Sequence, residues 1–405
     1  MIARKIYPEI CKKLDGNKIL ILTGARQSGK TTLLETLRDK IVDEGATVHF
    51  FTLEDPDILR DLNQHPDKLF SYIPRGKTCY LLIDEIQYLD DPSNFLKYHY
   101  DLHKDWLKLV VTGSSAFYLD HKFRDSLAGR KWIIPIHPFS FSEFLDAKGE
   151  GKHSQKIRET SLQFLLGQKR ELLSPQRKIL NELYLEYSTY GGYPEVVTTL
   201  EIEEKKELLK ELHTSLLKKD IYESAIQNEA KFFMLVKILA SQVGEMVNAN
   251  EIAGTLQLSR DTVQYYLFVL EKSFVIKLVR PFHRNLRKEL TKMPKVYFLD
   301  PGYRNSILKN FQGFNDRMDL GGYLENIFFT EMCRCPVEDI KFWRTQDKNE
   351  VDFIINEQIA YEAKATLQSF KKSKYRMFSK THPQISLHPI TLDDPNALEL
   401  LDFAS

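Results

Sequence analysis

The sequence predicts an α/β protein that begins with a parallel β-sheet. Five short apolar runs, separated by polar stretches of helical length, support this prediction. The runs are Lys18–Thr23, Val48–Leu53, Cys79–Ile83, Leu107–Thr112 and Trp132–Ile136. They are almost continuously apolar, as strands are when helices cover both faces of a sheet. The segments between them are long enough for the crossovers that parallel strands require.

Helical periodicity replaces this strand pattern after residue 138. Apolar residues recur there every three or four positions, which predicts the helices Ser161–Leu173, Pro175–Tyr187 and Ile202–Tyr222. A compact helical unit closed by strands follows over 229–285. A second segment of strands and helices then starts at about residue 290.

The composition is that of a globular protein. The 405 residues are enough for two or three domains, and the hydrophobic share of 42% excludes a wholly disordered chain. Lys and Arg total 57 and Asp and Glu total 56, so the net charge is +1. Any nucleic-acid surface must therefore come from local clusters of charge.

Three features predict a cytoplasmic protein that contacts no membrane. The four cysteines, at positions 11, 79, 333 and 335, form neither a disulfide framework nor the paired motifs of a zinc site. The N-terminal residues lack the apolar core of a secretory signal. No apolar run approaches the roughly 20 residues that a membrane span needs.

A phosphate-binding loop lies between the first predicted strand, Ile19–Leu22, and a predicted helix, Thr31–Lys40. Its residues fit the pattern G-x-x-x-x-G-K-[ST] and are Gly24, Ala25, Arg26, Gln27, Ser28, Gly29, Lys30 and Thr31, followed by Thr32. Backbone N–H groups and a helix N-terminus can surround a polyphosphate there. We expect Lys30 to reach the β- and γ-phosphates of ATP and the Thr31 hydroxyl to bind Mg²⁺.

A pair of carboxylates ends the third predicted strand. In the run Leu81–Glu85, Asp84 suits the coordination shell of Mg²⁺. Glu85 suits a base that orients water towards the γ-phosphate. Together with the loop, this pair predicts ATP hydrolysis.

These motifs resemble those of the AAA+ ATPases, in particular the prokaryotic archaeal-ATPase and STAND-related branch. The resemblance implies the sheet order 5-1-4-3-2. It makes Ser114 or Ser115, after the fourth strand, a polar sensor of the γ-phosphate, and Arg130 in Leu127–Arg130 a phosphate-sensing arginine, in its own or a neighbouring subunit of a homo-oligomer. Gly192-Tyr193-Pro194 resembles the lid element that packs near the base, which makes Pro194 a nucleotide contact.

A helix-turn-helix pattern follows. Asn250–Ser259 and Arg260–Glu271 predict two helices, with Ser259 as the N-cap of the second, and strand-like residues follow at Phe274–Val279. This resembles the winged-helix domain that follows the lid in archaeal relatives. The residues at the start of the second helix that could read bases are Arg260, Asp261, Thr262 and Gln264.

The stretch 272–295 has the strongest basic bias in the chain. Its cations are Lys272, Lys277, Arg280, Arg284, Arg287, Lys288, Lys292 and Lys295, opposed only by Glu289. Such a cluster suits the phosphate backbone of DNA or RNA. The alternative is a protein-contact or spacer module with a solvated charged face.

The C-terminal segment contains a second group of acidic residues. Asp352 begins an apolar run, Glu362 and Lys364 alternate along the next predicted strand, and Glu325 lies on the predicted helix Tyr323–Cys333. One face with these groups could hold a divalent ion, Mg²⁺ or Mn²⁺, and position a water. The arrangement resembles the PD-(D/E)xK nuclease core. The alternative is solvated carboxylates, or a nuclease fold kept only for DNA or protein contact.

Residues 170 to 405 also resemble a domain of unknown function that follows AAA modules in prokaryotic ATPases. The motifs behind this resemblance are Tyr190–Val197, Val296–Gly302, Trp343–Arg344 and Asn349–Phe353. The resulting domains are an ATPase core over 1–138, a helical lid or linker over 139–228, a winged helix over 229–289 and a nuclease-like domain over 290–405. We expect an Mg²⁺-dependent ATPase that acts on nucleic acid, and the resemblance adds a metal-dependent nuclease domain. The alternative is a STAND-like regulatory switch whose nuclease-like domain only binds DNA or protein.

Overall fold

The computed structural model describes residues 2–113, 127–152, 174–224, 226–283, 289, 292–334, 339–347 and 349–392. The predicted helix Ser161–Leu173 and the sensor candidates Ser114 and Ser115 lie outside these ranges. The chain forms two compact units. The first unit comprises Ala3–Pro138 with Lys272–Phe274, and the second comprises Phe139–Glu271 with Val275–Ser405 and Ile2.

The first unit is a parallel sheet with helices on both faces. Its strands are β1 (Ile19–Gly24), β2 (Val48–Thr52), β3 (Cys79–Asp84), β4 (Leu107–Gly113) and β5 (Lys131–Ile136). Its helices are α1 (Tyr7–Leu14), α2 (Lys30–Asp43), α3 (Pro56–Gln64) and α4 (Pro92–His103). The strand order is β2-β3-β4-β1-β5, with every neighbouring pair parallel. This confirms the predicted order 5-1-4-3-2, counted from the opposite edge.

Strand β1 shows why the predicted strands are so apolar. Ile19 and Ile21 belong to the core that contains residues of α3 and α4. Leu20 and Leu22 belong to the core that contains residues of α1 and α2. Both faces of the sheet are therefore covered by helices, so that no polar face remains along the strand.

The second unit combines helices with a mixed sheet. Its helices are α5 (Phe141–Ala147), α6 (Ser174–Tyr190), α7 (Pro194–Thr198), α8 (Ile202–Glu223), α9 (Glu229–Ser241), α10 (Ala249–Leu256), α11 (Arg260–Lys272), α12 (Pro301–Leu308), α13 (Leu320–Met332) and α14 (Arg376–Thr381). Its strands are β6 (Ile276–Pro281), β7 (Lys295–Phe298), β8 (Ile340–Arg344), β9 (Glu350–Ile355), β10 (Ile359–Lys364) and β11 (Ser386–Thr391). Their order in the sheet is β11-β10-β9-β8-β6-β7.

The predicted pair of helices at 250–271 corresponds to α10 and α11. Gln257 takes a left-handed conformation, with φ 52°, directly after α10. The Ser259 hydroxyl accepts a hydrogen bond of 3.0 Å from the backbone N–H of Thr262, as expected of an N-cap. The following strand, β6, pairs with β7 on one side and with β8 on the other. The boundary predicted between residues 289 and 290 thus separates two strands of one sheet, and the division into four domains stays a prediction.

The helices of the described ranges include none that is long and apolar enough to cross a membrane.

Candidate functional site

The loop from Gly24 to Thr31 joins β1 to α2 at the carboxyl edge of the parallel sheet. Gly29 has φ 90° at the start of α2, a conformation that glycine adopts without steric cost. A Cβ atom on Gly24 would lie 2.0 Å from the carbonyl oxygen of Ile136 on the neighbouring strand. Both glycines of the motif are therefore needed for the path of the backbone.

Lys30 is buried at the N-terminus of α2. Its ammonium donates to the carbonyl oxygens of Gly24, at 3.1 Å, and Ala25, at 2.9 Å. Burial lowers the pKa of Lys30 to about 8. The Ser28 hydroxyl is also buried, and no group of the described ranges hydrogen-bonds to it. A buried hydroxyl without a partner among the described residues and a buried cation at a helix N-terminus suit a polyphosphate.

Asp84 lies at the end of β3, between two threonine hydroxyls. The Thr31 Oγ1 donates to Asp84 Oδ2 at 2.8 Å, and the Thr112 hydroxyl donates to Asp84 Oδ1. A carboxylate and a hydroxyl in contact are hard oxygen ligands, which Mg²⁺ prefers. Thr31 and Asp84 therefore fit an Mg²⁺ ion that accompanies a bound nucleotide.

Glu85 follows in a left-handed conformation with φ 56° and ψ 51°. A non-glycine residue in this region is strained by about 1–3 kcal/mol, and such strain is common at active sites. The backbone N–H of Glu85 donates to Thr112 Oγ1 at 3.0 Å. The Gln87 side-chain amide donates to the Glu85 carboxylate. These contacts fix the direction of the carboxylate that we expect to orient water.

Thr112 and Arg4 belong to this site although sequence reasoning did not identify them. Thr112 contacts both acidic residues, and its signal was a polar residue at the end of the buried strand β4. The Arg4 guanidinium donates to the carbonyl oxygens of Ser28, at 2.8 Å, and His137, at 2.6 Å. No motif marks Arg4, because its partners are backbone atoms far away in the sequence.

Arg130 directly precedes β5 and forms an ion pair with Asp101 of α4. The Nε–Oδ1 distance is 2.8 Å and the Nη2–Oδ2 distance is 3.3 Å. Pro194 begins helix α7 in the second unit. Ser114 and Ser115 lie outside the described residues. The phosphate-sensing roles of Arg130 and of Ser114 or Ser115, and the nucleotide contact of Pro194, stay predictions.

The acidic residues of the C-terminal segment come together within the second unit. Glu325 lies on α13, Asp352 on β9, and Glu362 and Lys364 on β10. The Lys364 ammonium donates to Glu362 Oε1 at 2.6 Å. Burial, together with the charge of Asp352, raises the pKa of Glu325 to about 8 and that of Glu362 to about 7. Asp352 thus acts electrostatically on both glutamates.

Lys295 occupies a different place from the one that the sequence suggested. The sequence assigned it to an exposed basic surface, but its side chain is 1% exposed and contacts Glu325 and Asp352. A run of cations predicts local charge, but it does not show which of them packs against a distant strand. In the described ranges, no group of three or more His, Cys, Asp or Glu residues is arranged to hold a metal ion.

Three other cations of the basic stretch are exposed, namely Lys277, Arg280 and Lys292, and Lys272 is half-buried. Arg284, Arg287 and Lys288 lie outside the described residues. At the start of α11, Arg260, Asp261 and Gln264 are exposed, and Thr262 is half-buried. The residues expected to read bases are therefore accessible to a ligand.

Comparison with protein families gives two matches. Residues 16–145 match the family described as an AAA domain, and the chain contains such a domain there. Residues 181–313 match a domain of unknown function, DUF8612. The second range includes the motifs at 190–197 and 296–302.

Similar proteins span most of the chain. An uncharacterized protein of Haemophilus influenzae is 27% identical over 388 residues, which cover 89% of this chain and 87% of the relative. An uncharacterized protein of Methanocaldococcus jannaschii is 27% identical over 403 residues, which cover 96% of this chain and 84% of the relative.

Solved structures resemble the chain more distantly. The replication initiator DnaA bound to AMPPCP and single-stranded DNA is 14% identical, with a TM-score of 0.33, over 67% of this chain and 90% of that chain. The Aeropyrum pernix ORC2 protein in its ADP form is 12% identical, with a TM-score of 0.33, over 68% of this chain and 84% of that chain. Likenesses at this level support no statement about the present chain.

Proposed function

We propose that this chain is an Mg²⁺-dependent ATPase that acts on nucleic acid. The observation that supports the ATPase is the set of hydrogen bonds that joins Thr31, Asp84, Thr112 and Glu85 beside the phosphate-binding loop. An AAA domain at residues 16–145 supports nucleotide binding and hydrolysis in general. The roles of individual residues are part of the proposal.

The chemistry follows from what each side chain can do. Lys30 pairs with the β- and γ-phosphates, and the loop N–H groups bind the phosphate oxygens. Thr31 and Asp84 hold Mg²⁺, which neutralises phosphate charge when it is bound. Glu85 accepts a hydrogen bond from the attacking water and orients it towards the γ-phosphate. Arg130 adds positive charge near the γ-phosphate once it leaves Asp101.

Two substitutions separate binding from turnover. Lys30→Ala should lose ATP binding in calorimetry, because the buried cation is removed. Glu85→Gln should bind ATP with nearly unchanged affinity and lose at least about 100-fold in turnover, since the amide is a poor base. Glu9→Gln, at a carboxylate paired with Lys13 on α1, is the matched control and should behave as wild type. ATP hydrolysis by Lys30→Ala at the wild-type rate would reject the assignment.

Nucleic-acid binding rests on the exposed residues at the start of α11 and on the exposed cations of the basic stretch. Polarisation of labelled duplex and single-stranded DNA and RNA should show binding that weakens steeply with salt. Lys277→Ala should lower the salt dependence, whereas Gln264→Ala should change the preference among sequences. If no nucleic acid changes the rate of ATP hydrolysis, this region is better explained as a surface that contacts protein.

A nucleotide-dependent switch is the second candidate, and the ion pair between Arg130 and Asp101 favours it. An arginine held by its own chain contributes little to phosphate transfer until that pair opens. Asp101→Asn should then raise turnover, and Arg130→Ala should lower it. Mixing Arg130→Ala with Glu85→Gln subunits restores activity only if the arginine acts across a homo-oligomer.

The other sequence-derived expectations belong to the same proposal. They are a cytoplasmic location, a homo-oligomer and the contact of Pro194 with the nucleotide base. Sizing the protein with and without ATP tests the assembly. Metal-dependent cleavage by Glu325, Asp352, Glu362 and Lys364 is not part of the proposal, because a lysine ammonium contacts Glu325 and Asp352.

A further inference from the structure

Lys295 is the first residue of β7, and its side chain is inserted among acidic residues of two other elements. Its Nζ atom lies 3.0 Å from Glu325 Oε2 on α13. On β9 it lies 2.5 Å from Glu350 Oε1 and 3.6 Å from Asp352 Oδ1. An ammonium has three protons to donate, so one group can serve all of these carboxylates.

Neighbouring groups donate further hydrogen bonds to these carboxylates. Tyr297, two residues along the same strand and hence on the same face, donates its hydroxyl to Glu325 Oε2 at 2.9 Å. The Arg344 guanidinium donates to Glu350 Oε2 at 2.8 Å. The backbone N–H of Ala363 donates to Asp352 Oδ2 at 3.0 Å. Both oxygens of Glu350 and of Asp352 therefore have a partner within the protein.

Cations of the protein itself face the carboxylates of this cluster. A buried ammonium is unfavourable unless it is paired, and Lys295 is paired with Glu325, Glu350 and Asp352. The Arg344 guanidinium adds a second positive charge beside Glu350. Both cations therefore pair with this cluster without an added ion.

We infer that Lys295 supplies the cation of this carboxylate cluster, so that the cluster takes no divalent metal while the ammonium is in place. A dication among the same oxygens would lie within a few ångströms of the ammonium, and the two would repel each other strongly in a buried site. The second divalent ion that the nuclease resemblance implies does not fit these residues. The cluster instead joins β7, α13 and β9, and this inference is independent of ATP hydrolysis.

Manganese binding by the full-length, nucleotide-free protein tests this directly. Free Mn²⁺ is measured by electron paramagnetic resonance in titrations of wild type and of Asp352→Asn. We expect the two proteins to bind the same amount of Mn²⁺, and neither Mn²⁺ nor a chelator to shift their melting temperatures. One equivalent of Mn²⁺ bound by wild type and lost in Asp352→Asn would overturn the inference.

Without the Lys295 ammonium, the carboxylates of the cluster should bind a cation more readily. Lys295→Met should melt at a lower temperature than wild type, and Mn²⁺ or Ca²⁺ should recover part of that loss. The matched control is Lys206→Met, which removes a more exposed lysine of α8 paired with Glu203, and it should show neither effect. Absence of any Mn²⁺ or Ca²⁺ effect on folded Lys295→Met would count against the inference.

A double variant keeps the inference testable if Lys295→Met alone does not fold. Adding Asp352→Asn removes one of the negative charges that the missing ammonium would have offset. We expect Lys295→Met/Asp352→Asn to melt at a higher temperature than Lys295→Met, or to fold where the single variant does not. A double variant that is no more stable than Lys295→Met would show that the lysine does not act by offsetting these carboxylates.

Discussion

The carboxylate of Asp300 accepts a hydrogen bond of 2.8 Å from the backbone N–H of Gly192, 108 positions earlier in the chain. The same carboxylate accepts from the backbone N–H of Tyr303 at 2.9 Å, at the start of α12. Asp300 thus caps helix α12 and also fixes the turn after α6. The two sequence motifs at 190–197 and 296–302 are therefore two halves of one contact.

Asp300 gives the stability of the second unit a specific pH dependence. Burial raises its pKa from 3.8 to about 6, so the folded state holds this proton more tightly than the unfolded chain. The contribution is fully present below about pH 4 and is lost as the pH rises to about 6, a change of about 3 kcal/mol. We expect the stability advantage of wild type over Asp300→Asn to narrow over this range.

Denaturant unfolding at a series of pH values measures this difference. Asp316→Asn, at an exposed aspartate outside this contact, is the control and should differ from wild type by a constant amount. A gap between wild type and Asp300→Asn that is constant or grows with pH would contradict the assignment.

Gly302 should tolerate no side chain. A Cβ atom there would lie 2.0 Å from the carbonyl oxygen of Tyr190, which is backbone and cannot move aside. Gly302→Ala should therefore cost several kcal/mol, about 3 or more, or prevent folding. Gly254→Ala is the matched comparison, because its Cβ meets nothing within 4 Å and alanine is the better helix former. Thermal melts should rank Gly254→Ala at or above wild type and Gly302→Ala far below.

Thr112 should matter for turnover more than for nucleotide affinity. Thr112→Val removes the hydroxyl that orients both Asp84 and Glu85 while keeping the shape of the side chain. Outer groups that orient catalytic ligands typically contribute about 10–100-fold. We expect a loss of that size in the rate of ATP hydrolysis, with rescue by Thr112→Ser. Equal rates for the valine and serine variants would show that the hydroxyl has no such role.

Arg4 should support nucleotide affinity through the backbone of the loop. Arg4→Ala removes the two donors that bind the backbone carbonyls of Ser28 and His137, each worth about 1 kcal/mol. We expect ATP and ADP to bind about five- to tenfold more weakly, with partial recovery in Arg4→Lys. Arg38→Ala, at an exposed arginine of α2, serves as the control. Unchanged affinity in Arg4→Ala would mean that the loop keeps its shape without the arginine.

The sequence was sufficient for features that local pattern determines. Strand and helix periodicity, the loop pattern and the acidic pair after β3 each depend on neighbours within a few residues. Those signals gave the parallel sheet, its order through the family resemblance, and the positions of Lys30, Thr31 and Asp84. The structure places these three residues together at one edge of the sheet.

Features that depend on distant contacts were not predictable in the same way. Lys295 reads as one more surface cation, because the carboxylates that enclose it come from a helix and a strand that lie 30 or more residues away. Arg130 matches a family motif, but its ion pair with Asp101 depends on how α4 packs on the face of the sheet. A single sequence does not show which distant residues come into contact.

All neighbouring strands of the first sheet run in the same direction, so the strands begin at one rim of the sheet and end at the other. The nucleotide loop occupies the rim where strands end, whereas the turns that lead into β2 and β3 belong to the other. Gly45 and Gly76, in those turns, have φ values of 75° and 74°, so the glycines themselves must be kept, but the space beside each is open to within 4 Å. Fluorophores or affinity tags inserted there should report on the protein without touching its chemistry.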